Sequence, residues 1–487
     1  MTKFIKSLFL VCFFAVAFVV EGQNPARTCF LIPTETPARP EGQTHVIGLT
    51  APPMETVRVG VIGLGARGPQ SVRRFMYIEG VEVVALCDLH RYRVDRVNER
   101  FLIPAGRPAA AVYYGPDGWR EMVRRDDIDL IYIAADWRRR GEMIVYAVEN
   151  GKHVATEHPG ATSMEEIWNI INAAEKHRRH VMLLANVVYG NFELTTLNMI
   201  QQGVFGEILY AEGAYIHQLL PHWDLYEGDW RIIENRRLRG DIYPIHGIGS
   251  AALALNINRG DRMTHLVSMD TRPVSIPNWL NETRGENLRH CHEDFANGQF
   301  TMSFIQTANG AAINLHRDVA SPRPYSRMYA FQGTHGYFQM YPLRRDQGVT
   351  HPAGMTLVRD RILELTGNEE LARTRGTGTS WLPDEVTHSL LEQFRHPILT
   401  DEMQETARRL GAIAHGGMDF IMDFRLIYAL RHGLPLDMNV YDLAAWSSIV
   451  PLSAVSIENG NAPVEIPDFT RGYWNYQQGV HFYLSTD

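Results

Sequence analysis

From Val57 onward, short apolar runs alternate with stretches of helical spacing, the pattern of a parallel α/β unit. Val57–Ile62 reads as a strand broken in polarity only by Arg58, residues 68–78 are helix-compatible, and residues 81–86 form a second strand that ends in Cys87-Asp88. Residues 129–135 read as a buried parallel strand, 141–150 as a helix stopped by Gly151, 153–157 as a strand and 180–186 as a further strand. Between the last two, residues 163–177 carry apolar side chains at helical spacing, with Ser163 as the N-cap and Glu166 three residues on as a capping box. A doubly wound sheet over residues 55–186 follows, with its ligand site at the carboxyl ends of the strands, near Gly63, Asp88, Ala135, Glu157 and Asn186.

After Asn186 the period changes. A helix over 192–202 is followed by period-two strands over 208–217, 266–270, 298–306, 310–317 and 326–332, then by helices over 418–431 and 440–456. This order predicts a second, α+β domain over 187–487 with an open, mostly antiparallel sheet, its C-terminal helices packing back on the first domain.

The turn after the first strand is Gly63-Leu64-Gly65-Ala66-Arg67-Gly68, a dinucleotide-binding fingerprint. Gly63 permits a tight turn, Gly65 lets backbone N–H groups approach a pyrophosphate, and Gly68 lets the helix pack on the strand. Asp88, twenty residues after Gly68, is placed to accept from a ribose hydroxyl. That carboxylate would repel a 2′-phosphate and favours NAD, although Arg67, Arg91 and Arg93 keep NADP open.

Ahead of this unit, Lys3 and Lys6 precede an apolar run over 7–20, with small residues offering cleavage after Ala17 or Gly22. Residues 1–22 therefore read as an export signal, which places the chain in the periplasm or at the cell surface of a Gram-negative-type cell. The run is too short for a comfortable membrane span, so no stable span is expected after cleavage; an uncleaved anchor or a buried helix is the alternative. Residues 23–54, rich in proline, read as a linker. Net charge is −8 with the signs interspersed, which argues against nucleic acid. Cys12, Cys29, Cys87 and Cys291 encode no disulfide framework. His290-Cys-His-Glu-Asp294 has no standard zinc spacing and reads as a solvated loop, so no metal is expected. No Gly-x-Ser-x-Gly elbow appears, and the carboxylates cannot be paired by spacing into a two-carboxylate site. A homodimer remains open.

The two halves together resemble the Gfo/Idh/MocA oxidoreductase superfamily, with Glu157-His-Pro159 where that superfamily usually has Glu-Lys-Pro. More specifically, the chain resembles glycoside hydrolase family 109, the NAD-dependent α-N-acetylgalactosaminidases. The resemblance lies in the order of Asn186-Val-Val-Tyr189, Gly203-Val-Phe-Gly-Glu207, Tyr243-Pro-Ile-His-Gly-Ile-Gly249, Asn256-Ile-Asn-Arg-Gly260, Arg323-Pro-Tyr325, His415-Gly-Gly-Met-Asp419 and Tyr441-Asp-Leu-Ala-Ala-Trp446. It implies a glycosidase that oxidises the sugar at carbon 3, removes the proton at carbon 2, expels the aglycone from carbon 1, adds water and returns the hydride. It also implies a glycoside or glycan substrate and a cofactor regenerated at each turnover. The superfamily's sugar dehydrogenases use the Lys of Glu-Lys-Pro and an Asp-x-x-x-His pair; here His158 replaces the Lys, and Ile242 and Ser250 flank His246 at that spacing. Ala185 stands where the family usually has Glu, and Asp136-Trp-Arg-Arg-Arg140 keeps the family's Trp but loses its aromatic and histidine.

The chemistry needs an acid/base group at carbon 2, donors to the carbon 3 oxygen and a proton path at carbon 1. His246 is the first choice for acid/base work, with Gly247 and Gly249 allowing a ligand to approach its backbone; a satisfied core histidine at a helix start is the alternative. Tyr243 is a candidate phenol on the same loop, Tyr189 a candidate proton relay and Tyr325 a candidate from the second domain, each against ordinary packing. Glu157 is expected to hold the nicotinamide ribose or sugar hydroxyls, Trp137 to cover the adenine or nicotinamide side, and Asn186 to sit at the cofactor edge. His415 is expected to line the site from the C-terminal segment, and Tyr215 and His217 to line the sugar cleft or pack. An exported sugar oxidoreductase and a non-catalytic sugar-binding protein that retains NAD are the competing readings.

Overall fold

The computed structural model describes residues 30–223, 227–284, 294–341 and 352–485. The predicted export signal and most of the 290–294 loop, residues 290–293, lie outside the described residues, as do Cys12, Cys29 and Cys291.

The first sheet contains β1 (Val57–Ile62), β2 (Val81–Asp88), β3 (Ala111–Tyr114), β4 (Leu130–Ile133), β5 (His153–Thr156) and β6 (Val181–Leu183), all parallel, in the order β3-β2-β1-β4-β5-β6. Strand order reverses at the β1/β4 boundary, which opens a crevice at the carboxyl ends of these strands. β4 and β5 are buried at every position, which is why they read as unbroken apolar runs. Ser163 caps the Met164–His177 helix by accepting from the Glu166 N–H. The Glu166 carboxylate accepts from the Thr162 N–H at 2.8 Å instead of closing the capping box on Ser163. β3 carried no recognisable signal because its four residues are only half-buried and lie at the sheet edge.

The second sheet contains β7 (Ile208–Ile216), β8 (Met263–Asp270), β9 (Phe300–Thr307), β10 (Ala312–Asp318), β11 (Ala330–Gly333), β12 (Gly336–Gln339), β13 (Gly354–Leu357) and β14 (Val464–Glu465). Its order is β13-β12-β11-β7-β10-β9-β8-β14, and only the β7/β10 pairing is parallel. The segment around His246, read from sequence as a loop or helix start, is a full helix, Ile245–Ala254. It lies directly on β7: a Cβ on Gly213 would sit 2.6 Å from the Gly247 Cα. Gly247 thus serves helix-to-strand contact, and Gly249 abuts Val188, so neither glycine opens the backbone to a ligand as the sequence suggested. The expected helix over 440–456 is two helices, Val440–Ser447 and Ile449–Glu458, in an apolar stretch long enough to cross a membrane but mostly buried within the protein.

The proline-rich segment departs from a linker. In residues 30–54, Val46 and Ile47 are buried, Ile32 bridges to Val464, and the Arg39 guanidinium pairs with Glu175 at 3.0 Å. Glu175 also receives Arg471 at 2.8 Å and the Tyr441 hydroxyl at 2.6 Å, so the segment is strapped across both halves of the chain.

Candidate active site

A cleft of about 1230 Å³ runs from the glycine-rich turn to the face of the second sheet. It exceeds the roughly 300–1,000 Å³ of ordinary small-molecule pockets, room for more than one ligand group. Gly63 has φ +91°, and a Cβ there would lie 2.6 Å from the Ala134 carbonyl carbon, so only glycine lets β1 turn beneath β4. A Cβ on Gly68 would run into the Gly63 carbonyl oxygen, which accounts for glycine where helix meets strand. Gly65 faces open cleft, the nearest atom to a Cβ being the Arg93 guanidinium at 3.8 Å.

At the end of β2 the Asp88 carboxylate accepts from the Leu64 N–H at 2.7 Å and the His90 N–H at 3.0 Å, with Arg93 at 3.6 Å. Leu64 itself is fully buried and contributes this backbone donor; Gly65, Ala66 and Arg67 line the cleft. The open backbone at Gly65 and the oriented carboxylate of Asp88 fit a dinucleotide, with Asp88 for a ribose hydroxyl and the turn for the pyrophosphate. Arg67 is engaged elsewhere: it pairs with Glu157 at 3.1 Å and Asp419 at 3.2 Å and lies against the His415 ring.

Asp419, on the Met418–His432 helix, is the principal residue that sequence reasoning missed, although its motif had been singled out. Its carboxylate is fully buried and accepts from Asn186 Nδ2 at 2.5 Å, from Arg67 and from His415 Nδ1 at 2.7 Å. Burial alone would push this carboxyl up, but Arg67, His415 and Arg74 together hold it well below the usual range, so it stays ionised. Asn186 therefore reaches the cleft edge through Asp419, and His415 does line the site.

At the end of the cleft next to the second sheet, where the family resemblance expects the sugar, aromatic and imidazole rings converge. His246 lies 4.4 Å from Tyr215, 5.2 Å from Tyr243 and 5.2 Å from His158, ring centre to ring centre. The Tyr243 ring stacks on Tyr215 at 4.8 Å and on Trp137 at 6.1 Å. Trp137 thus joins the wall near the sugar end. Its 3 % exposure leaves little ring to cover a cofactor. The Tyr243 hydroxyl sits 3.4 Å from His158 Nε2. Burial, then His158 and the nearby Arg327 and Arg67 cations, push the His246 imidazole well below its ordinary value, so the ring is neutral at neutral pH. His158 is lowered in the same way by burial, Arg67 and Arg140, and burial raises the Tyr243 phenol. His246 Nδ1 and His158 Nδ1 are buried without a hydrogen-bond partner. Tyr325, 40 % exposed, reaches the cleft from the second sheet and meets His217 at 5.1 Å.

Tyr189 does not join them. It is fully buried, and its hydroxyl donates to Asp437 at 3.0 Å, a partner 248 residues away that no local pattern announced. The proton-relay and substrate roles expected for it are therefore corrected to a structural one. In the Asp136–Arg140 loop, Arg140 is buried and donates to the Glu157 carbonyl at 2.9 Å, to the Pro159 carbonyl at 2.8 Å and to the Ala135 carbonyl, tying the ends of β4 and β5 together. Arg327 and Glu193, paired at 2.7 Å, also line the sugar end and gave no sequence signal.

A family profile described as "Glycosyl hydrolase 109, C-terminal domain" matches residues 189–476, and one described as "Oxidoreductase family, NAD-binding Rossmann fold" matches residues 57–184. "Glycosyl hydrolase family 109 protein 1" of Phocaeicola vulgatus is 49% identical over 448 residues, covering 91% of this chain and 90% of its own. "Glycosyl hydrolase family 109 protein" of Porphyromonas gingivalis is 49% identical over 449 residues, 92% of each chain. Among solved structures, levoglucosan dehydrogenase in complex with NADH and levoglucosan aligns over 85% of this chain and 100% of its own, with a TM-score of 0.58 at 17% identity, a likeness of fold. With a cleft that fits NAD, neutral imidazoles facing its sugar end and relatives of this closeness, the chain belongs to glycosyl hydrolase family 109, a glycoside hydrolase built on an NAD-binding oxidoreductase fold.

Proposed function

We propose that this chain, exported from the cytosol, cleaves α-N-acetylgalactosaminides by oxidation at carbon 3, elimination of the aglycone, addition of water and re-reduction. The observation that carries this reading is how the cleft uses its carboxylates. Direct hydrolysis needs two carboxyl groups facing the glycosidic bond, about 5–9.5 Å apart. Among the described residues lining the cleft the carboxylates are Asp88, Asp136, Glu157 and Glu193, and each is engaged: Asp88 by backbone N–H groups, Asp136 by the Arg138 N–H, Glu157 by Arg67 and Glu193 by Arg327. The proton-exchanging groups left at the sugar end include the imidazoles and phenols of His158, His246, Tyr243 and Tyr325.

Bound NAD+ supplies a reversible hydride acceptor, and the proton transfers fall to this chain. His246, neutral at rest, takes the proton from carbon 2 once the ketone at carbon 3 has acidified it. Tyr243, a neutral phenol, and Tyr325, linked to it through the Tyr215 and His217 rings, donate to sugar oxygens, including the glycosidic oxygen as the carbon 1 bond breaks. Water then adds across carbons 1 and 2: its hydroxyl goes to carbon 1 and its proton restores the phenol, while His246 gives its proton back to carbon 2; a bound NADH would supply the hydride that re-reduces carbon 3. No cytosolic enzyme is needed to reoxidise the cofactor, which suits a secreted protein.

The test is to incubate the holoenzyme with p-nitrophenyl α-N-acetylgalactosaminide in deuterated water. Nitrophenol release with deuterium at carbon 2 and no net NADH is the expected result. An oxidised sugar with its glycosidic bond intact and NADH accumulating would instead identify a sugar oxidoreductase.

A further inference from the structure

We propose that Arg67, His415 and Asp419 form a clasp that sets how long NAD stays bound, with His415 as the movable member and Asp419 as the fixed one. The cofactor end of the cleft has walls from two distant parts of the chain. Gly65, Ala66 and Arg67 belong to the glycine-rich turn; His415, Gly416 and Met418 face them. One guanidinium joins the walls: Arg67 Nη2 donates to Asp419 Oδ1 at 3.2 Å, and Nη1 lies 3.0 Å from Nδ1 and 3.4 Å from Nε2 of His415. His415 Nδ1 donates to Asp419 Oδ2 at 2.7 Å, and Arg67 Nη1, close to both ring nitrogens, rests against the imidazole, so guanidinium, imidazole and carboxylate close a three-way contact.

The members differ in mobility. Asp419 is fully buried and further held by Asn186 at 2.5 Å and Arg74 at 3.5 Å. His415 is 46 % exposed along its side chain. It also begins a run of three left-handed residues, His415, Gly416 and Gly417, with φ of 45°, 72° and 113°. A histidine in the left-handed region is uncommon and strained, and two glycines beyond it give the chain freedom to swing there. The geometry is that of a hinged wall, drawn against the glycine turn by Arg67. Its opening widens the end of the cleft that fits the dinucleotide. Retention of the cofactor is a property separate from the sugar chemistry, so it stands or falls independently of the substrate.

The experiment uses holoenzyme whose bound cofactor has been reduced to NADH; it is mixed with excess NAD+, and the first-order loss of bound-NADH fluorescence gives the release rate. His415→Ala should release NADH about tenfold faster or more, the loss of one hydrogen bond to a charged group. His415→Gln, which keeps a donor for the Asp419 carboxylate and a polar group beside Arg67, should restore much of the retention, and Asp419→Asn should release faster than wild type. A release rate for His415→Ala within twofold of wild type, or a His415→Gln rate equal to that of His415→Ala, overturns the proposal.

Discussion

Gly213→Ala should harm catalysis without touching any residue that faces the sugar. Gly213 lies in β7 beneath the helix that carries His246, and an alanine Cβ would sit 2.6 Å from both the Cα and the carbonyl carbon of Gly247. An ordinary carbon–carbon contact is about 3.5–4.0 Å, so the helix must recede by about 1 Å. The obstruction is backbone, so no side-chain rotation relieves it. Overpacking of this kind costs about 1–3 kcal/mol, and a displacement of about 1 Å at a reacting group costs about 10²-fold in rate. Gly249→Ala provides the comparison: its Cβ would meet the Val188 Cγ1 methyl at 3.0 Å, a side-chain atom that can yield, so its effects should be smaller. The assay is nitrophenol release together with thermal unfolding of the holoenzyme. NAD affinity should hold in both variants, because the glycine turn and Asp88 are not in contact with this helix face. A Gly213→Ala protein with wild-type melting temperature and turnover would refute the argument that this backbone contact seats His246.

Three further outcomes are expected. Tyr189→Phe should lower unfolding free energy by about 1.5–3 kcal/mol through loss of its bond to Asp437 while keeping kcat within a few-fold, whereas His246→Asn should lower kcat by about 10²–10⁴-fold; a large kcat loss in a fully folded Tyr189→Phe enzyme would reinstate it as a relay. Burial holds His180 down at about 3 and His153 at about 4, so the folded state favours neutral rings and the stability they contribute is complete above about pH 6.5 and lost as pH falls. Each pH unit below that should cost about 1.4 kcal/mol per ring, and urea unfolding at pH 7 and pH 5 should show His180→Phe with a shallower loss than wild type. Glu175→Gln should destabilise by about 1.5–3 kcal/mol in denaturant unfolding, since it leaves the partly buried Arg39 and Arg471 side chains without their carboxylate; a negligible change would return residues 30–54 to the status of a linker.

What the chain made legible follows the range of the interactions. The parallel sheet was readable because β1, β4 and β5 are buried on both faces and the glycine turn has a steric requirement at Gly63 and Gly68, where a Cβ would meet backbone atoms of their neighbours. Those are local constraints, and local sequence records them. β12, β13 and β14 were missed because two- to four-residue strands carry too few positions to establish a period. The Ile245–Ala254 helix was missed for a different reason: it is buried nearly all round, so it has no polar face to mark helical spacing, and its glycines read as a loop when they are contacts to β7.

The site divides along the same line. Asp88 and Glu157, whose roles are set by a neighbouring strand end, reached the cleft as expected, and His246 reached it from the start of a helix. Residues whose role is set by a partner across the chain did not follow from sequence: Tyr189 turns away to Asp437, and Arg67 turns from a cofactor phosphate toward Glu157, Asp419 and His415. The buried charges make this consequential. Arg67, Arg74, Asp419 and Asp423 connect the glycine turn, its following helix and the Met418–His432 helix, with Arg74 donating to Asp423 at 2.7 Å and Asp423 pushed up to about 6 by burial despite that pairing. Removing one member leaves the others uncompensated in a low-dielectric interior, which costs more than the pair itself contributes. A purely apolar junction would hold the two halves together as well or better. Ionic groups at this position instead put the cofactor end of the cleft under the control of side chains that the C-terminal helix supplies, so the segment that completes the fold also governs access to the cofactor.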